Sequence, residues 1–323
     1  MAKFFRIFVA LLVVLAVSPS AKADFLFYAT TYNETGDAPL PGIVKVSSTG
    51  VVTPWDVRDS GGTLIAFDDP EGITLDSQGN VYVNDSGVTY RITPAGVASI
   101  FATAADPSYS YGVTVDASDN VYVQSSMGVN YGVYSYQPDG TPISNFQIAG
   151  GTAFISIESD GYLYASSSSL LRYTTAGVFD EDFAIDIPGL SGFVFDPEGN
   201  IYAGGVVDDG SWDAAIYKVS FDEGGLADVQ LFSALPGEYV LRGMSIDSEG
   251  NIYTVAQSCE CEGRLNLILL TNQLGETSTF ATGEGDLRFN DLAMVPEPTT
   301  ILLTACGMMA LLFRRSPRMR ATV

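Results

Sequence analysis

The chain contains no histidine among its 323 residues, so its chemistry is confined to carboxylates, tyrosines, hydroxyls, lysines and arginines. Ser-His-Asp and Cys-His nucleophiles, His-ligated zinc and an imidazole switch near neutral pH are excluded. Carboxylates dominate what remains, with 38 Asp and Glu against 15 Lys and Arg. One oxygen-rich stretch, Val206 to Asp213, sets Asp208, Asp209 and Asp213 around Trp212. That composition suits calcium, carbohydrate or a partner, and equally a solvated hairpin tip. A second stretch holds Cys259 and Cys261. A Cys-x-Cys disulfide closes a small strained ring, so pairing between molecules and metal capture both stay open in an oxidising compartment.

Further acidic side chains recur at regular intervals, in five copies of one block: Gly72 to Val83, Gly112 to Val123, Phe154 to Ala165, Gly192 to Ala203 and Gly243 to Thr254. The block reads Gly-x-x-x-Asp-x-x-Gly-Asn-x-Tyr, with Glu158 and Tyr162 in the Asp and Asn places of the third copy. Steps between the aligned acids Asp76, Asp116, Glu158, Asp196 and Asp247 are 40, 42, 38 and 51 residues. Each copy is a short β-branched run, a turn rich in Gly and Asn, and a run alternating with period two, which predicts a hairpin. The turns lack the alternating ligands and distal Glu of an EF-hand loop, so Asp76, Asp116, Asp196 and Asp247 are expected to accept turn amides. Tyr82, Tyr122, Tyr164, Tyr202 and Tyr253 occupy one register of one strand, as core residues do.

Two further strands follow each hairpin, for example Val88 to Thr93 and Val97 to Ala102 after the first copy. Four antiparallel strands in about 40–45 residues make a β-propeller blade. The runs Phe25 to Thr30, Ile43 to Ser47 and Val51 to Trp55 match a blade lacking its first strand, and Asn290 to Met294 has the look of that missing strand. Pairing them predicts an all-β, six-bladed propeller over residues 24–295, closed by its N- and C-terminal strands.

The repeat resembles those of the NHL-type and gluconolactonase-type six-bladed propellers, and the likeness covers nearly the whole body. Innermost strands line a propeller's channel, so the residue ahead of each first strand is expected near one mouth: Glu71, Tyr111, Ala153, Ser191, Arg242 and Asn290. In the metal-dependent gluconolactonase-like hydrolases, this resemblance implies, a Glu, an Asn and an Asp of that circle hold a divalent cation that activates water or polarises a lactone carbonyl. Glu71 fits the first place, but Ser191 stands where Asn is expected and Arg242 where Asp is expected, and a guanidinium is no cation ligand. Glu71 and Arg242 are open to two readings, a buried ion pair and a clamp for a ligand.

Both ends carry address labels. Residues 1–23 run from Lys3 and Arg6 through the apolar Ile7 to Val17 to Ala21-Lys22-Ala23, the order of a secretory signal peptide cleaved after Ala23; an uncleaved anchor helix is the alternative. Residues 296–323 hold Pro296-Glu297-Pro298, an uncharged stretch from Thr299 to Phe313, and then Arg314, Arg315, Arg318 and Arg320. As a helix that stretch rises about 22 Å, a marginal span with a strongly basic flank. The tail resembles the PEP-CTERM sorting signal, which implies recognition by an exosortase in a Gram-negative bacterium that makes exopolysaccharide; a permanent single-pass anchor is the alternative.

Seven of the 15 basic residues lie in these two ends, so the body through Glu297 carries 38 acidic residues against 8 basic, a net charge of −30. Such a surface repels phosphate backbones, and nucleic acid is not an expected partner. The expected partners are the exosortase and secretion machinery, with exopolysaccharide or another surface component as a candidate ligand. No cofactor is implied, and calcium is the one ion the acidic loops suit. The combined expectation is an exported propeller, anchored in the inner membrane as a precursor and then held at the cell surface or in the matrix. Its role there is non-enzymatic binding or structure, with a calcium-dependent lactonase-like hydrolase as the alternative.

Overall fold

In the computed structural model the regular elements of the body, Phe25–Val295, are all strands among the described residues. The structure describes residues 25–33, 42–103, 112–127, 130–148, 154–158, 160–222, 224–235, 239–258, 266–283 and 287–296. No helix among these residues is long and apolar enough to cross a membrane. Both address labels lie outside the described residues apart from Pro296, as do Tyr111, Ala153, Cys259 and Cys261.

The strands form six four-stranded antiparallel sheets. The first sheet joins the two ends of the body: β24 (Leu287–Met294) pairs β1 (Phe27–Asn33), followed outward by β2 (Ile43–Val46) and β3 (Val52–Pro54). Tyr28 faces Ala293 and Phe27 faces Met294 in this closing ladder. The second blade is β4 (Pro70–Leu75), β5 (Val81–Asp85), β6 (Val88–Ile92) and β7 (Ala98–Thr103). The third is β8 (Val113–Val115), β9 (Val121–Met127), β10 (Asn130–Tyr136) and β11 (Pro142–Ile148). The fourth is β12 (Ile155–Ile157), β13 (Tyr162–Ser166), β14 (Leu170–Thr174) and β15 (Phe179–Ile185). The fifth is β16 (Phe193–Phe195), β17 (Ile201–Val206), β18 (Ala214–Phe221) and β19 (Ala227–Leu235). The sixth is β20 (Tyr239–Ile246), β21 (Ile252–Ser258), β22 (Asn266–Thr271) and β23 (Thr277–Thr282). The six-bladed propeller expected from the repeat, with its terminal-strand closure, is therefore the fold. Closure matters because without β24 the inner edge of β1 would be left unpaired and the ring would be open at that blade.

Each sheet must bury both faces, and the core accordingly divides into six apolar clusters, one per seam between blades. The tyrosine row fills those seams. Tyr82, Tyr122, Tyr164, Tyr202 and Tyr253 are all buried, and Tyr28 of the closing blade is the sixth member. Beneath them the Asp turns are hairpin caps. Asp76 accepts the Gln78 and Asn80 amides at 2.9 and 2.8 Å, the Asn80 side-chain amide at 2.7 Å and the Tyr82 hydroxyl at 3.4 Å. Asp116 and Asp247 repeat the pattern with Tyr122 and Tyr253. In the second copy Asp119 takes the left-handed φ of 62° that Gly79 takes in the first. Its carboxylate then reaches the next blade, accepting from the Ser77 amide at 2.8 Å and hydroxyl at 2.7 Å.

Opposite four of the six tyrosines, across the ladder, stands a cation: Lys45, Arg91, Arg172 and Lys218 face Tyr28, Tyr82, Tyr164 and Tyr202. Lys45 lies 4.7 Å from the Trp55 ring and Lys218 lies 5.3 Å from the Tyr202 ring. Half of the body's basic residues are thus drawn into seams.

Because Tyr82 is a packing wedge first and a hydrogen-bond donor second, Tyr82→Ala is expected to cost about 3–5 kcal/mol of unfolding free energy and Tyr82→Phe about 1 kcal/mol. Equilibrium denaturation of the two variants checks the ratio, and a Phe variant as damaged as the Ala variant would place the weight on the Asp76 bond instead.

Candidate functional site

Glu71, Arg242 and Asn290 lie on the innermost strands β4, β20 and β24, and Ser191 precedes the innermost strand β16, the positions expected near one mouth of the channel. Glycines just after these positions let neighbouring first strands approach. A Cβ on Gly192 would collide with the Arg242 carbonyl, and one on Gly243 would collide with Asp291.

Asp291 is the residue the sequence reading missed. It stands on β24 where the other copies carry Gly72, Gly112, Gly192 and Gly243, and that break in the column was its signal. Its carboxylate accepts from the Ile73 amide at 3.1 Å and the Leu292 amide at 2.8 Å, and its own amide donates to the Thr30 hydroxyl at 3.1 Å. Thr30 in turn donates to the Glu71 carbonyl at 2.7 Å. Part of Asp291 faces the channel, yet its carboxyl is enclosed by β1, β4 and β20. That burial lifts its pKa from 3.8 to about 7 against the pull of the two amides, with the Glu71 charge adding to the rise. Glu71 is lifted from 4.5 to about 7, first by burial and then by Asp69, with Arg242 opposing. No donor among the described residues reaches the Glu71 carboxylate.

The run Asp68-Asp69-Pro70-Glu71 supplies more negative charge than the ring of mouth positions suggested. Asp85, buried, accepts the Asp68 amide at 3.0 Å and the Asp69 amide at 2.8 Å, which fixes the turn that carries both acids to the mouth. Burial raises the pKa of Asp85 and of Asp69. Arg242 faces this group but contacts none of it. Its Nε donates to Gln257 Oε1 at 3.0 Å, and Gln257 Nε2 donates onward to the Phe289 carbonyl at 2.7 Å. The Glu71–Arg242 ion pair is therefore not made: the two ion pairs among the described residues are Arg58–Asp56 and Arg172–Asp180. The guanidinium is tied to the sixth blade and acts on Glu71 and Asp69 through space.

The other mouth positions are occupied with the fold. Ser191 returns its hydroxyl to the Gly204 carbonyl at 3.2 Å. Asn290 is buried, and its Nδ2 donates to the Pro70 carbonyl at 3.0 Å.

The loop from Val206 to Asp213 joins β17 and β18. Asp209 accepts the Ser211 amide at 2.8 Å, and the Ser211 side chain together with that amide holds its carboxyl below the usual range; the Ser211 hydroxyl also accepts the Asp213 amide at 3.2 Å. Trp212 is 70% exposed with φ 63°. Of the three acids of this loop, Asp209 caps it. Among the described residues no three acidic or thiol side chains are grouped as metal ligands.

With the geometry in hand, the comparisons locate the fold. No family model and no curated protein matches the chain. Among solved structures, a protein of unknown function from Bacteroides caccae superposes with a TM-score of 0.61 at 11% identity, over 84% of this chain and 100% of that one. A gluconolactonase from Xanthomonas campestris gives 0.54 at 15% identity, over 84% and 95%. Virginiamycin B lyase from Staphylococcus aureus, in a catalytically inactive histidine-to-alanine form with quinupristin, gives 0.51 at 14% identity, over 80% and 85%. At these identities the likeness is one of fold.

The raised carboxyls make a signed prediction. Glu71 and Asp291 bind their protons more tightly folded than unfolded, so the stability they contribute is complete below about pH 4, falls as pH rises and is gone above about pH 7. Melting temperature should drop from about pH 5 to about pH 8, and Asp291→Asn should flatten the drop, while Glu181→Gln, which removes an exposed charge, should leave the slope unchanged. Equal slopes in all three proteins would assign the effect to the overall acidity of the surface.

Proposed function

We propose that this protein is an exported β-propeller that binds a component of the cell surface or matrix and does not turn it over. The observation carrying this reading is Arg242, a fixed cation tethered by Gln257 beside the carboxyls that a hydrolytic metal would need. At an effective dielectric of about 20, a unit positive charge about 4 Å from a divalent ion costs about 8 kcal/mol. Ser191 and Asn290, each already committed to a backbone carbonyl, do not replace the missing oxygen ligands, so the gluconolactonase-type metal set does not fit these residues. The lyase comparison points the same way, since a chain without histidine cannot supply the residue whose replacement inactivates that enzyme.

The alternative, a lactonase-like hydrolase, draws on one feature. Glu71 is an unengaged carboxyl with a pKa near 7, where a general acid or base works best. Lactone hydrolysis by the unmodified protein should stay at background with and without calcium. Metal-dependent turnover that Glu71→Gln abolishes would overturn the binding reading. In the same assay series, Arg242→Asp combined with Ser191→Asn should create a divalent-ion affinity measurable by calorimetry.

Export and sorting rest on the ordered signal peptide and on the ordered Pro296-Glu297-Pro298, apolar run and arginine cluster. An exosortase is the partner this order implies, and exopolysaccharide is a candidate ligand for the exported body. Changing Pro296 and Pro298 together to Ala should leave an unprocessed precursor in the inner membrane. Unchanged mass and localisation of that double variant would remove the sorting reading while leaving the propeller reading intact.

A further inference from the structure

On the face opposite the channel mouth, between the fourth and fifth blades, lies a cavity of about 450 Å³. Its position follows from a departure in the repeat. The third copy carries Glu158 and Tyr162 where the others carry Asp and Asn. In the other turns the Asp carboxylate is filled by backbone amides and the Asn side chain, as at Asp196. Here Asp160 takes over the cap, accepting the Tyr162 amide at 2.9 Å and the Tyr164 hydroxyl at 2.7 Å, while the backbone bonds of the turn are those of the other copies. The longer Glu158 side chain, which accepts the Ser156 hydroxyl at 3.2 Å, then lines the cavity.

The lining has two components. Phe183, Phe195, Phe221 and Tyr164 form aromatic walls, with Tyr164 4.7 Å from Phe195 and 5.4 Å from Phe183 between ring centroids. Glu158, Asp160, Asp182 and Asp196 supply carboxylates. One cation lines the cavity, Arg172, and it is neutralised by Asp180, which accepts from its Nε at 3.0 Å and its Nη2 at 2.6 Å. The guanidinium already rests 4.3 Å from the Phe183 ring and 4.6 Å from the Tyr162 ring, so these aromatic faces receive positive charge within the fold itself. The Asp182 carboxylate accepts no hydrogen bond among the described residues.

We propose that this cavity binds an organic ammonium ion, with its alkyl stem against Phe195 and Phe221 and its N–H groups on Asp182 and Glu158. An ammonium head is all donor and no acceptor, and the side chains here offer acceptors while their principal donors, Tyr164 and Arg172, are spent inside the wall. A neutral polyol would need donors as well as acceptors. Aromatic faces add attraction for the cation and contact for its stem. The net charge of −30 on the body concentrates such cations at the surface. The proposal does not rest on the reading of the channel mouth, which lies on the other face.

Calorimetric titration of the full-length protein with cadaverine, and with pentanol as a neutral counterpart, tests it. Saturable binding of cadaverine and none of pentanol is expected. Asp182→Asn should weaken cadaverine binding about tenfold, the loss of one charge-assisted hydrogen bond. Phe221→Ala should weaken it as well, both variants melting like the parent, and Asp209→Asn in the distant loop should leave affinity unchanged. Absence of saturation in the millimolar range, equal binding of pentanol, or affinity indifferent to Asp182→Asn and Phe221→Ala would each overturn the proposal, the last by reducing it to general attraction to an acidic surface.

Discussion

Everything in this propeller depends on filling the wedge-shaped gap between one blade and the next. A four-stranded sheet cannot bury two faces by itself, and the ring solves this by giving every seam one tyrosine. The ring of each is buried between blades, and three of the hydroxyls, those of Tyr82, Tyr122 and Tyr253, meet the carboxylate that caps their own hairpin. The wedge and the turn therefore hold one another in register. A packing contact sets the angle between blades, and a local hydrogen-bond set keeps the tyrosine at the right height.

That solution shapes the electrostatics of the whole body. Lys45, Arg91, Arg172 and Lys218 lie across the ladder from seam tyrosines, so half of a small supply of cations serves the interior architecture. What faces outward is left more acidic still. Around the channel the same imbalance sets Asp69 and Glu71 within the field of one guanidinium, Arg242, and burial raises the pKa of these two carboxyls and of Asp85 and Asp291.

Both candidate sites arise where a copy of the repeat breaks its own rule. Asp291 replaces a glycine at the seam where the chain ends meet, and its carboxyl is accommodated because Gly243 on the next strand has no side chain. Glu158 and Tyr162 replace the Asp and Asn of a hairpin cap, Asp160 takes over the capping, and a cavity lies beside the altered turn. In a fold made of near-identical units, positions that satisfy the common packing are interchangeable, so chemical individuality can reside only in the exceptions.

The sequence alone determined the fold: the spacing of Asp76, Asp116, Glu158, Asp196 and Asp247, the tyrosine register and the two incomplete terminal fragments were enough for six blades and their closure. These features are legible because hairpin caps and period-two strands are local, and repetition tells the reader five times over which positions are buried. The same alignment marked Glu71, Ser191, Arg242 and Asn290 as equivalent positions of the repeat, expected near one mouth of the channel. What only the tertiary structure decided was which way those side chains are spent. Arg242 goes to Gln257 rather than to Glu71, Asn290 goes to Pro70, and Asp291 becomes the enclosed acid. The cavity between the fourth and fifth blades was equally hidden, because its walls come from Phe195, Phe221 and Tyr164 on separate strands of two sheets. Such choices depend on distances between blades that are set by the seam packing of the closed ring, and no spacing along the chain records them.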